Sequence, residues 1–161
     1  GELRREAIGD DPFLRSFLSV ELREQLGGAA NRSAVPERDE RVETELRAGF
    51  ERIEEANLDL VLGTDAGAVP GHPFGYTGHR ELEIFVSLEM TPMTALVTAT
   101  GNAAKHLKLD DLGLVAVGKR ASLLVLDANP LTDIRNTRAI HAVYLNGRLI
   151  DRDAIAAKLP N

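Results

Sequence analysis

The run Leu58-Asp59-Leu60-Val61-Leu62, closed by Gly63, constrains the fold of this chain more than any other stretch. It is too short for a helix and lacks the alternation of a strand with one wet face, so it reads as a strand buried on both sides. Such strands belong to α/β folds, where helices cover both faces of a sheet. The flanking patterns agree. From Glu37 to Ala56 the apolar residues Val42, Leu46, Phe50 and Ile53 recur at helical spacing and predict one helix with a buried stripe, ended by Asn57. Its other faces mix acids with bases, which is the pattern of a solvated surface.

A second helix is predicted from His79 to Glu89, carrying Leu82, Phe85, Val86 and Leu88 inward. Thr91 followed by Pro92 restarts the pattern, because Thr caps a helix well and Pro is tolerated at the first helical position. That third helix should reach Leu107 and bury Met93, Leu96, Val97, Ala103, Ala104 and Leu107, with Gly101 as its weak point. Upstream, Phe13, Leu14, Phe17, Leu18, Leu22 and Leu26 suggest one or two short helices between Asp10 and Gly28.

After Asp110 the character changes to short strands, expected at Leu114–Val117, Ser122–Asp127 and His141–Leu145. Asn146-Gly147 is the strongest turn signal in the sequence, since a type I′ turn needs positive φ at both central positions. Tyr144 and Ile150 should then lie on paired strands. A boundary is expected near Lys108 to Gly113, dividing residues 1–108 from a β-rich unit at 109–161.

Composition excludes several functions. A net charge of −6 argues against nucleic acid, whose phosphates require clustered Lys and Arg. No stretch approaches the roughly 20 apolar residues of a membrane span, so no membrane partner is expected. With no cysteine there is no thiol nucleophile, disulfide or Cys-ligated zinc, which fits a cytoplasmic location. The chain begins at Gly1 rather than Met, so either its true start is expected to be missing or Gly1 is the scar of a tag.

Gly63-Thr64-Asp65-Ala66-Gly67 sets a carboxylate at the carboxyl end of the buried run, where α/β folds and barrels assemble their sites. A carboxylate there can ligate a metal or move a proton. Equally, an Asp beside Ala and Gly can close a turn through its side chain. A glycine-rich loop follows, reaching Gly78 and longer than most connections. Of the four histidines, His72 lies in that loop and can line a pocket or stand exposed. His79 can position substrate or bond to backbone at a helix start. His106 suits a helix C-terminus, and His141 suits a strand surface. The glycines form no dinucleotide fingerprint, so no nucleotide cofactor is expected.

Gly63 to Gly67, then His79-Arg80-Glu81-Leu82-Glu83 and Thr91-Pro92-Met93 with Ala95-Leu96, resemble the end of the barrel in amidohydrolase-superfamily enzymes. The likeness is to the imidazolonepropionase-like and prolidase-like members. Val117-Gly118-Lys119-Arg120-Ala121, Leu123 to Leu131, Asp133 to Thr137 and Val143 to Arg148 are similar to the segment that returns into their small β-sandwich. The resemblance covers about residues 37 to 159. It departs from the family at Ser122, where Asp is usual, and at Ala103, where Pro is common.

The resemblance implies an α/β chain: the C-terminal fragment of a (β/α)8 TIM barrel, with its last strand and flanking helices, plus part of a β-sandwich. Residues 1–36 would be a lid-like excursion before helix seven. The implied reaction is metal-dependent hydrolysis of an amide, cyclic amide or peptide-like C–N bond in a small molecule. Asp65 would touch a catalytic divalent metal, expected to be zinc, and shuttle the proton. His79 and His72 are candidates for substrate contact. The family's other metal ligands are missing, so the isolated chain should be inactive. It should also pair with the rest of its barrel or form an oligomer. The rival reading is a non-catalytic binding or assembly module that keeps a remnant of the fold.

Overall fold

A computed structural model describes residues 11, 13, 19–21, 24, 40–68 and 72–158. The helices expected between Asp10 and Gly28 lie almost wholly outside the described residues. By its contacts the chain divides into two compact units, Gly1–Leu58 with Lys158–Asn161, and Asp59–Ala157.

In the first unit, helix α1 spans Glu40–Glu55. Asn57 ends it in the left-handed region, with φ of 51°. The Leu58 amide then reaches back to the Ile53 carbonyl at 3.3 Å. Asn tolerates this conformation better than most residues with a Cβ. Of the stripe expected to be buried, Leu46 is 42% exposed, while Phe50 and Ile53 are half-buried.

At Leu58 to Leu62 the chain departs furthest from expectation. Leu58 to Leu62 forms no strand among the described residues, and Leu58 is 63% exposed. An apolar run becomes a strand only when a neighbour takes up its backbone groups, and no described strand lies beside this one. Its backbone is held by helices instead, as described below.

Helix α2 spans Tyr76–Ser87. The chain leaves it through Glu89, at φ of 77°, and the Met90 amide bonds to Phe85 O at 3.2 Å. This closure buries Met90 to 3% exposure. Helix α3 spans Pro92–Ala99, and its N-cap is Thr91, whose hydroxyl accepts from the Thr94 amide at 3.2 Å. The helix expected to run on to Leu107 breaks at Thr100 (φ −127°, ψ −84°), and helix α4 resumes over Gly101–His106. The buried face belongs to Ala95, Thr98 and Ala104 rather than to the larger residues, since Met93 and Leu107 are mostly exposed.

Three antiparallel strands follow in the order β1-β2-β3: β1 Leu123–Leu126, β2 Ile140–Leu145 and β3 Arg148–Leu149. Leu123 faces Tyr144, and the register shifts between Val125 and Leu126. Asn146 and Gly147 turn the hairpin with φ of 53° and 78°, as a type I′ turn requires. Beyond β3 the Ile150 amide continues the ladder to Val143 O at 2.9 Å. Ser122 works at this turn, where its hydroxyl accepts from the Asn146 amide at 3.1 Å. Leu114 to Val117 is not a strand; Val115 and Val117 are solvent-exposed and pair with nothing described. Between β1 and β2 a 3-10 turn, Ile134–Arg138, packs on α2. A short helix α5, Arg152–Ala156, is capped by Asp151. No described helix is long and apolar enough to cross a membrane.

Candidate functional site

Asp65 stands at the end of a segment pinned at alternate residues. The Asn102 amide donates to the Leu60 carbonyl at 2.9 Å. The Leu62 amide donates to the Thr98 carbonyl at 3.2 Å. The Thr64 carbonyl accepts from His72 Nδ1 at 2.8 Å. Groups two residues apart share one edge of an extended chain, so α3, α4 and a histidine serve that edge where a strand could have.

Immediately beyond, Asp65 takes a left-handed conformation with φ of 49°. Its neighbours are tied down on both sides. The Thr64 hydroxyl accepts from the Ala66 amide at 3.2 Å, and the Asp65 carbonyl accepts from the Ala68 amide at 3.0 Å. Gly67 donates to the His72 carbonyl at 3.2 Å, and a Cβ at Gly67 would meet the Phe74 ring at 2.2 Å. Asp65 itself is exposed, and no described residue bonds to its carboxylate. The turn here is therefore closed by the Thr64 hydroxyl and by backbone, which leaves the Asp65 oxygens available for chemistry.

A backbone carbonyl can only accept, so His72 Nδ1 carries the proton in its bond to Thr64. In the neutral ring Nε2 is then the acceptor or ligand nitrogen.

His79 is engaged elsewhere. Its Nδ1 lies 3.0 Å from Thr137 Oγ1, and that hydroxyl spends its one proton on the Ile134 carbonyl at 2.9 Å. His79 Nδ1 must therefore be the donor. Burial disfavours the imidazolium, and the nearby Arg138 charge repels it, so the His79 pKa lies below the ordinary histidine value. Glu83 holds Arg80 at 2.8 Å and also pairs with Arg138, whose guanidinium stacks 4.9 Å from the centre of the Tyr76 ring. These contacts clasp α2 to the 3-10 turn.

Thus the structure joins His72 to the Asp65 loop, while the described bond of His79 leads to Thr137. Sequence reasoning missed Asn102, Thr98, Thr137, Glu83 and Arg138. The one local signal was a polar residue, Thr98, on the small-residue face of α3. A surface pocket of about 390 Å³ lies between α4 and the loop after it, lined by Lys105, Lys108 and Lys119 with leucines; it includes none of the three candidates.

Among the described residues no three His, Asp or Glu side chains converge as a metal site. Asp65 fits as one oxygen ligand of a divalent ion and cannot hold one alone.

The sequence profile of the amidohydrolase family matches residues 16–150. An adenine deaminase of Nitratidesulfovibrio vulgaris (strain DP4) is 40% identical over 87 residues, which is 52% of this chain and 14% of that protein. The crystal structure of phenylurea hydrolase B superposes with a TM-score of 0.64 and 27% identity, covering 93% of this chain and 33% of that one. A Xaa-Pro dipeptidase crystallised with methionine in its active site gives a TM-score of 0.58 and 30% identity over 68% of this chain and 26% of that one. The chain therefore spans well under two thirds of each relative.

Proposed function

Since this chain belongs to the amidohydrolase family of TIM-barrel enzymes, we propose that it carries the proton-transfer aspartate of a metal-dependent hydrolase acting on a C–N bond. The observation that carries the reading is Asp65, an exposed carboxylate without a described partner, set just after an apolar run and fixed through its backbone on both sides. The proteins it resembles are named as a deaminase of adenine, a hydrolase of phenylureas and a dipeptidase, and each name points to a C–N bond in a small molecule.

In this reading Leu58 to Leu62 is the last barrel strand, and α2, α3 and α4 flank it. The sheet β1-β2-β3 is part of a small β-sandwich, with the division near residue 108. The neighbouring strands and the remaining ligands come from the rest of the protein or from a second copy. A divalent ion, zinc by expectation, would be held partly by Asp65 and would supply Lewis acidity to the bond under attack. Asp65 accepts a proton from the attacking water and returns it to the departing nitrogen. Its left-handed backbone sets where the carboxylate stands while it does so. His72 and His79 are the candidates of this chain for contact with the substrate, His72 through Nε2.

The test is Asp65→Asn in the full-length protein, assayed on a panel of N-acyl dipeptides, arylureas and aminopurines. The amide cannot take the proton, so kcat should fall by about 10² to 10⁴ with KM little changed. Near-normal turnover with unaltered metal content would exclude the role.

A further inference from the structure

We propose that His72 is a positioning residue for Asp65, acting through the carbonyl of Thr64; this rests on the catalytic reading of Asp65 given above. The carboxylate has no described side-chain partner, so its direction follows from the backbone that bears it. That backbone is left-handed at Asp65, a conformation which a residue with a Cβ adopts reluctantly and which must be held by its surroundings.

His72 supplies much of the hold, and does so twice. Its Nδ1–H fixes the carbonyl of the peptide unit directly preceding Asp65 at 2.8 Å, and its own carbonyl receives the Gly67 amide two residues after Asp65 at 3.2 Å. One residue thus grips the chain on both sides of the carboxylate. The Phe74 ring lies against Gly67, where a Cβ would meet it. Only the first grip depends on the side chain of residue 72, and this makes it separable by mutation. Asn at this position can present an N–H near the place of Nδ1; Phe keeps the ring's bulk and loses the donor.

The experiment uses the full-length protein with four variants: His72→Phe, His72→Asn, Asp65→Asn and the double variant H72F/D65N. Outer partners of catalytic groups typically contribute about 10- to 100-fold, so His72→Phe should lower kcat by roughly that factor with KM held within about threefold. His72→Asn should recover most of the loss. In the double variant the His72 change should add almost nothing to the loss from Asp65→Asn, because both act through one carboxylate.

Unchanged kcat in His72→Phe beside a crippled Asp65→Asn would overturn the proposal and leave the catalytic reading standing. Normal turnover in Asp65→Asn would remove both. A rise in KM alone in His72→Phe would leave His72 only its candidate contact with the substrate and overturn positioning. If His72→Phe fails to fold, the wild-type protein still decides: long-range ¹H–¹⁵N spectra of the ¹⁵N-histidine-labelled protein should show His72 protonated at Nδ1. The opposite tautomer would refute the bond on which the proposal stands.

Discussion

Leu58-Asp59-Leu60-Val61-Leu62 and Leu123-Leu124-Val125-Leu126 are nearly the same apolar text, yet only the second is a strand. The second run finds β2 within its own unit and exchanges backbone bonds along its length. The first run has backbone bonds to Ile53 and Thr98 and a side-chain bond from Asn102, and its leading residue, Leu58, is mostly in water. Strand character therefore belongs to the pair and not to the segment. The candidate catalytic residue, Asp65, follows three residues after the run that lacks a described strand partner.

The loop that leads from α4 to β1 can be broken at Gly113, which adopts φ of 84° against α4. A Cβ there would lie 2.6 Å from Ala104 Cβ and 2.8 Å from the Thr100 carbonyl, neither of which is a flexible tip. Gly113→Ala should cost about 3 kcal/mol, adding left-handed strain to overpacking. Chemical denaturation of the chain checks this, and a loss below about 1 kcal/mol would contradict the packing described.

The unpaired run is held more lightly. Asn102→Ala removes the bond to Leu60 and should cost about 1 kcal/mol, the usual net worth of such a bond. Hydrogen exchange should quicken at Leu60 to Thr64 and stay unchanged in β1 and β2. Equal acceleration in both regions would show that the two runs are not independent in the way their contacts indicate.

The smallest effect concerns pH. His79 binds a proton less readily folded than unfolded, so its contribution is constant above the ordinary histidine pKa of about 6.5. Stability then falls as the pH drops through that value toward the depressed folded pKa, because the unfolded chain takes up the proton first. His79→Gln should flatten the fall in melting temperature between pH 7.5 and 5. An unaltered slope would remove His79 from the account.

What could be read from the sequence follows the range of the forces involved. Thr91-Pro92, Asn57 and Asn146-Gly147 act within a few residues, and the helix start, helix end and hairpin turn stand where those residues predicted them. The break at Thr100 sits one residue from the weak point marked by Gly101. Leu58–Leu62 and Leu114–Val117 form no strand among the described residues, because apolar content records a preference for burial and says nothing about whether a neighbour exists. The position of Asp65 after its run was legible. Its setting was not: the Thr64–His72 bond spans eight residues and the Leu60–Asn102 bond forty-two, and neither leaves a periodic trace. The bond from His79 to Thr137, across fifty-eight residues, was equally hidden.

The most direct test is the recovery of C–N hydrolysis after metal exchange in the full-length protein. Stripping by a chelator should abolish turnover, and zinc should restore it in the wild type, while Asp65→Asn with the same metal content stays about 10² to 10⁴ below. Full activity in the stripped protein, or full recovery in Asp65→Asn, would contradict the assignment of Asp65 to a metal-dependent hydrolase.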